Sequence, residues 1–181
     1  GSILFLQFWQ TFTLDPRRQQ VLVTHALCAG LLGNLAATLL SSAGPCYYGY
    51  FVAGPDPFAP LMVYLESVSA ITPLPSVLAQ GYLWESYQRD ALTVGAGISA
   101  MPSIHMSMAF LLVLACWHRG RWLRGATLAY LVVLQIGSVH LGWHYAIDGY
   151  VGIFLTGAIW WLVSRLLTAG TKSTPVAAAP E

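Results

Sequence analysis

Residues 119–167 read RGRWLRGATLAYLVVLQIGSVHLGWHYAIDGYVGIFLTGAIWWLVSRLL. Three arginines open the stretch, an apolar run covers residues 126–140, a turn falls near Gly142, and a second apolar run covers 145–167 with Arg165 near its end. A membrane-crossing helix needs about 20 mostly apolar residues. Two such runs joined by a short turn predict a helical hairpin whose open ends are basic and whose tip lacks arginine and lysine. Working outward, residues 101–117 and 21–43 supply two further apolar runs, so four spans are expected. Residues 3–14 are apolar over about half a span, which predicts a partial helix or one lying in the interface.

Composition agrees. Of 181 residues, 56% are hydrophobic and only 8% charged, against about 25% charged in a soluble domain. Such a chain cannot coat itself for water, so lipid is its solvent. A net charge of +1 with no basic stripe excludes a nucleic-acid partner, and seven Trp and nine Tyr suit interfacial belts. Cys28 and Cys116 lie in apolar runs and the cysteine count is odd, so Cys28, Cys46 and Cys116 read as packing residues. No basic region precedes residues 3–14, so no cleavable signal peptide is expected.

Arginine and lysine gather on cytoplasmic loops. Arg17 and Arg18 precede the first span, Arg119, Arg121 and Arg124 join the second to the third, and Arg165 and Lys172 close the fourth. If the spans alternate, all lie on one side. Residues 44–100 then lie on the other, with Asp56, Glu66, Glu85 and Asp90 against Arg89. That connection is too long for a plain loop. Its aromatic runs, cut by Pro45, Pro55, Pro57, Pro60, Pro73 and Pro75, predict short interfacial helices over the extracytoplasmic mouth. The expected fold is all-α: a polytopic transmembrane bundle forming one catalytic domain over residues 1–169, followed by a mobile tail over 170–181. It is expected to be an integral membrane protein, in a bacterial inner membrane, with its site facing the periplasm or exterior.

Three helix mouths on that extracytoplasmic side carry the reactive side chains. Pro102 suits a first helical turn and Ser99 a cap, which would place free N–H groups and a positive dipole end beside Ser103 and His105. Across the bundle, Asp148 follows His144 at helical spacing, and a carboxylate on one imidazole nitrogen would leave the other directed outward. Ionisable groups at membrane depth are costly and usually functional. His25 and His118 have no such company and read as structural or interfacial. His140, His144 and Asp148 could instead hold a metal, although Gly142 should break the helix between the two histidines. Gly149, Gly152 and Gly157 read as close helix packing.

Ala100-Met101-Pro102-Ser103-Ile104-His105 and His144-Tyr145 followed by Asp148-Gly149 resemble two signature motifs of the type 2 phosphatidic acid phosphatase superfamily. They are similar in particular to the branch of inositol phosphorylceramide and sphingomyelin synthases and their bacterial relatives, which the Gly44-Pro45-Cys46-Tyr47-Tyr48 stretch also resembles. The resemblance spans about residues 20 to 168. It implies His144 as nucleophile through a phosphohistidine, Asp148 orienting it, and His105 as general acid and then base. Ser103 and nearby backbone N–H groups would bind the phosphate, and no metal or cofactor is required; Arg89, the only cation of residues 44–100, is the candidate for neutralising it, with Tyr145 and His140 as further candidate phosphate ligands. The substrate would be a lipid phosphate in the bilayer, and oligomers are possible. The superfamily's first motif, a lysine followed by Arg-Pro, is absent, and Ser138 stands where an arginine commonly precedes the nucleophile by six residues. The rival readings are a metal-dependent membrane enzyme using the His/Asp cluster and a non-catalytic proton-relaying membrane protein.

Overall fold

The computed structural model of the chain describes residues 17–40, 42–89 and 99–172, the last three by backbone only. Helix α1, Arg18–Leu39, is wound as a π-helix over Cys28–Ala36. A 3₁₀ turn, Pro45–Tyr47, runs into a helical turn, Tyr48–Phe51. Then follow α2, Ala59–Ile71; α3, Pro75–Gln88; α4, Ile104–Cys116; α5, Arg121–His140; and α6, Ala146–Lys172. The described residues include no strand. The fold is an all-helical membrane bundle. Helices α1, α5 and α6 are each long and apolar enough to cross a bilayer, and α2 and α3 form a pair bent by 112°.

The expected second span is shorter than its apolar run. Helix α4 has 13 residues, or about 20 Å at 1.5 Å per residue, against about 30 Å of hydrocarbon. Ser99 does not cap it: its hydroxyl lies 2.9 Å from the Ala37 carbonyl and 3.2 Å from that of Met101. Pro102 precedes the helix, and Ser103 takes the N-cap position. Residues 99–103 therefore reach the helix as non-helical chain, anchored to the end of α1 by the Ala100 N–H on the Ser42 carbonyl, 2.7 Å.

Helix α4 is the centre of the bundle, packed by α1, α5 and α6. Its Met108, Leu111, Leu112, Ala115 and Cys116 meet Val21, Cys28 and Leu32 of α1, with Leu155, Ile159 and Trp160 of α6 closing the cluster. Lipid offers no hydrophobic gain for helix association, so close approach through small residues matters more than area. A Cβ on Gly152 would stand 2.7 Å from the Ser103 carbonyl; the glycine lets α6 lie against the start of α4. The three cysteines are free thiols.

The outward face of α5, with Val132, Val133 and Ile136 exposed, suits lipid contact. At one end of the bundle Arg124 lies over Trp117, Arg121 over Trp122 and Arg165 over Trp161, arginine-tryptophan pairs that favour an interface. The starts of α4 and α6 lie at the other end. The aromatic runs expected to form short helices are α2 and α3. Asp56 starts α2 by accepting the Phe58 N–H, 2.8 Å, and Pro60 and Pro75 fill first-turn positions. The expected partial helix over 3–14 lies outside the described residues. Helix α6 reaches Lys172, so residues 170–172 of the expected tail are helical, while residues 173–181 lie outside the described residues.

Candidate active site

Helix α5 ends at His140, and Gly142, with φ +71°, reverses the chain, a conformation that costs glycine little. The turn closes on Ser138, whose carbonyl accepts the N–H groups of Trp143 (3.0 Å) and His144 (3.3 Å). This aims the His144 ring into the bundle, where only 8% of the residue is exposed. Its Nδ1 lies 2.8 Å from the Ala100 carbonyl. A carbonyl only accepts, so Nδ1 carries the hydrogen and Nε2 keeps its lone pair.

Nε2 faces the Ser103 hydroxyl at 3.3 Å. Ser103 is fully buried, and although it stands at the N-cap of α4, its side chain makes no capping bond. The first N–H groups of α4, on Ile104, His105 and Met106, have no preceding turn to donate to. The hydroxyl, the positive helix end and a lone-pair nitrogen thus meet at one point. His105 is exposed, and its ring centre lies 6.1 Å from that of His144, inclined by 61°. One phosphoryl group can reach both rings across that gap.

Asp148 is 2% exposed. Its carboxylate accepts the Tyr145 N–H at 2.8 Å, half of a capping box for α6, and stands 3.7 Å from His144 Nδ1. The nitrogen's hydrogen bond goes to Ala100; the buried Asp148 carboxyl group lies behind it. Its own carbonyl accepts the Ser103 N–H, 3.2 Å, and so ties the two helix mouths together. A model of the PAP2 superfamily matches residues 2–162. The chain belongs to the PAP2 superfamily. Among curated proteins and solved structures no significant match was found.

Membership of the PAP2 superfamily brings a phosphatase-type activity, of the phosphoric ester hydrolase kind. The remaining residues singled out from the sequence are placed differently from one another. Tyr145 is partly buried and meets Phe58 edge to face, at 5.6 Å between ring centres. His140 is exposed at the end of α5. Arg89 pairs with Glu85 at 3.3 Å, both side chains largely exposed. The described residues give Arg89 no bond to the histidines, and no three His, Cys, Asp or Glu side chains among them gather as a metal set. The Ala100 carbonyl was not legible beforehand, since a backbone acceptor leaves no mark in side-chain chemistry. Burial pushes the His144 imidazole below its ordinary value; the bond to Ala100 raises it, and nearby His105 lowers it again. In this PAP2 superfamily member His144 is therefore neutral near pH 7.

Proposed function

We propose that this chain is a lipid phosphatase or lipid head-group phosphotransferase of the branch resembling inositol phosphorylceramide and sphingomyelin synthases, working through a phosphohistidine without a metal ion. One observation carries the reading: His144 presents Nε2 to the Ser103 hydroxyl at the mouth of α4, where the first N–H groups of that helix have no acceptor among the described residues, with a second imidazole 6.1 Å away. The Nε2 lone pair attacks phosphorus while the bond to the leaving oxygen breaks, and protonated His105 gives that oxygen its proton. His144 becomes a cationic phosphoimidazole, and the Asp148 carboxylate at 3.7 Å offsets its charge. Neutral His105 then takes a proton from water or an alcohol, whose oxygen displaces His144 from phosphorus.

With Arg89 paired to Glu85 and Ser138 in place of an arginine, the phosphate charge falls to Ser103, the α4 N-terminus and protonated His105. A lipid substrate fits the surroundings. The turn and helices over this end expose Tyr50, Phe51, Tyr64, Ile71 and Tyr82, a surface on which tails can remain apolar while the phosphate reaches the helix mouths. The arginine-tryptophan end is assigned to the cytoplasm and the site to the extracytoplasmic leaflet.

Radiolabelled phosphatidic acid, a polyprenyl diphosphate, and phosphatidylinositol with ceramide, each presented in detergent, test the reading. Labelled free phosphate or a labelled new lipid is expected from at least one. Free phosphate alone removes the transferase, and no turnover of any of the three overturns the proposal. The acid limb of kcat/KM is expected below pH about 6.5, the ordinary histidine value. His144 is active when neutral, so the rate is lost as pH falls through its lowered value; an acid limb above pH 7 contradicts the assignment.

A further inference from the structure

The loop that carries His144 is held at both ends by side-chain amides. Gln80 of α3, 5% exposed, donates its Nε2 hydrogen to the Leu141 carbonyl at 2.8 Å. Gln135 of α5 donates to the Ala146 carbonyl at 3.1 Å. Between these points the Gly142 carbonyl accepts the Cys46 N–H at 2.9 Å. Gln80 is itself seated by the Tyr47 hydroxyl, which donates to its backbone carbonyl at 3.0 Å. Gln135 lies against the first turn of α6, where a Cβ on Gly149 would overlap its amide.

Each glutamine leaves its Oε1 buried with no donor among the described residues. An unpaired buried oxygen is costly, and a leucine of similar volume would avoid the cost. The amide is explained by its other end, which fixes a carbonyl of a short non-helical loop. Such a loop can pivot, and in-line attack does not tolerate a displaced nucleophile.

We propose that Gln80 and Gln135 are positioning residues that clamp the two ends of the 141–145 loop and so set where His144 Nε2 points. Through Gln80 the clamp also joins the bent α2–α3 pair to the nucleophile, so the seating of that pair is transmitted to the imidazole. As a catalytic role this rests on the reading of His144 as nucleophile.

The test uses the full chain in lipid nanodiscs, with the variants Gln80→Leu, Gln135→Leu, Gln80→Glu and Gln135→Glu. The leucine variants are expected to lose about 10- to 100-fold in kcat with KM nearly unchanged. A glutamic acid can donate to the carbonyl only when protonated. The Glu variants should therefore recover kcat relative to the parent chain as pH falls, and the leucine variants should not. A second readout needs no turnover: carbethoxylation of His144, followed by mass spectrometry, should quicken by about threefold or more when the ring is no longer held against Ser103. Unchanged carbethoxylation in both leucine variants overturns the clamp. Quickened carbethoxylation in a chain that turns over no phosphate upholds the clamp and removes the catalytic reading.

Discussion

Alanine in place of His144 is expected to reduce kcat by roughly 10⁴- to 10⁶-fold, the scale on which removal of a catalytic nucleophile is felt. The ring is fixed by its partners, with Nδ1–H on the Ala100 carbonyl and Nε2 beside the Ser103 hydroxyl. In the proposed mechanism His105 stands on the other side of the reacting phosphorus and does not replace it. The parent chain, quenched during turnover, should carry acid-labile, alkali-stable label on His144, and the alanine variant none. Circular dichroism checks that the bundle persists. Activity within tenfold of the parent would sink the mechanism.

His105→Ala should cost about 10²- to 10⁴-fold with a lipid substrate, the range of general acid-base catalysis. The loss should shrink for aryl phosphates, whose leaving groups need no proton. In the proposed mechanism the same imidazole activates the second nucleophile, so an aryl phosphate should leave the variant trapped as its phosphohistidine, with label approaching one per chain. His105 is exposed and makes no hydrogen bond among the described residues, so the substitution leaves little packing to lose. A uniform loss across leaving groups, without trapped label, would reassign His105 to binding.

The sequence displayed the bundle well because span and turn are written in hydropathy. Helices α5 and α6 follow the apolar runs on either side of Gly142, and the proline-cut runs before Ser99 are α2 and α3. The start of α4 was less legible. Ser99 and Ser103 are both credible caps and Pro102 suits either helix start, so the choice fell to tertiary bonds from Ser99 to Ala37 and from Ala100 to Ser42. His105, His144, Asp148 and Ser103 stood out as chemistry-bearing side chains in apolar context, and the structure brings them together. Arg89 stood out as the lone cation of its segment, yet its spacing of four from Glu85 already marked the pair it makes. His140 shares a helical period with His144 on paper only, since the chain reverses between them. Gln80 and Gln135 do carry a signal in the sequence: a carboxamide in an apolar helix needs a partner.

The π-wound stretch of α1 bears on how this chain can vary. Cys28–Ala36 widens the helix just before Ala37, and wide turns of this kind recur near functional sites. Beyond it three bonds follow: the Ala37 carbonyl receives Ser99, the Ser42 carbonyl receives Ala100, and the Ala100 carbonyl receives the imidazole. The residue count of α1 is thereby a ruler for the tautomer of a histidine more than a hundred positions away. One residue fewer would rotate the far end of that helix by about 100° and swing the carbonyl out of reach, so in this helix length, more than composition, is what the chemistry holds fixed.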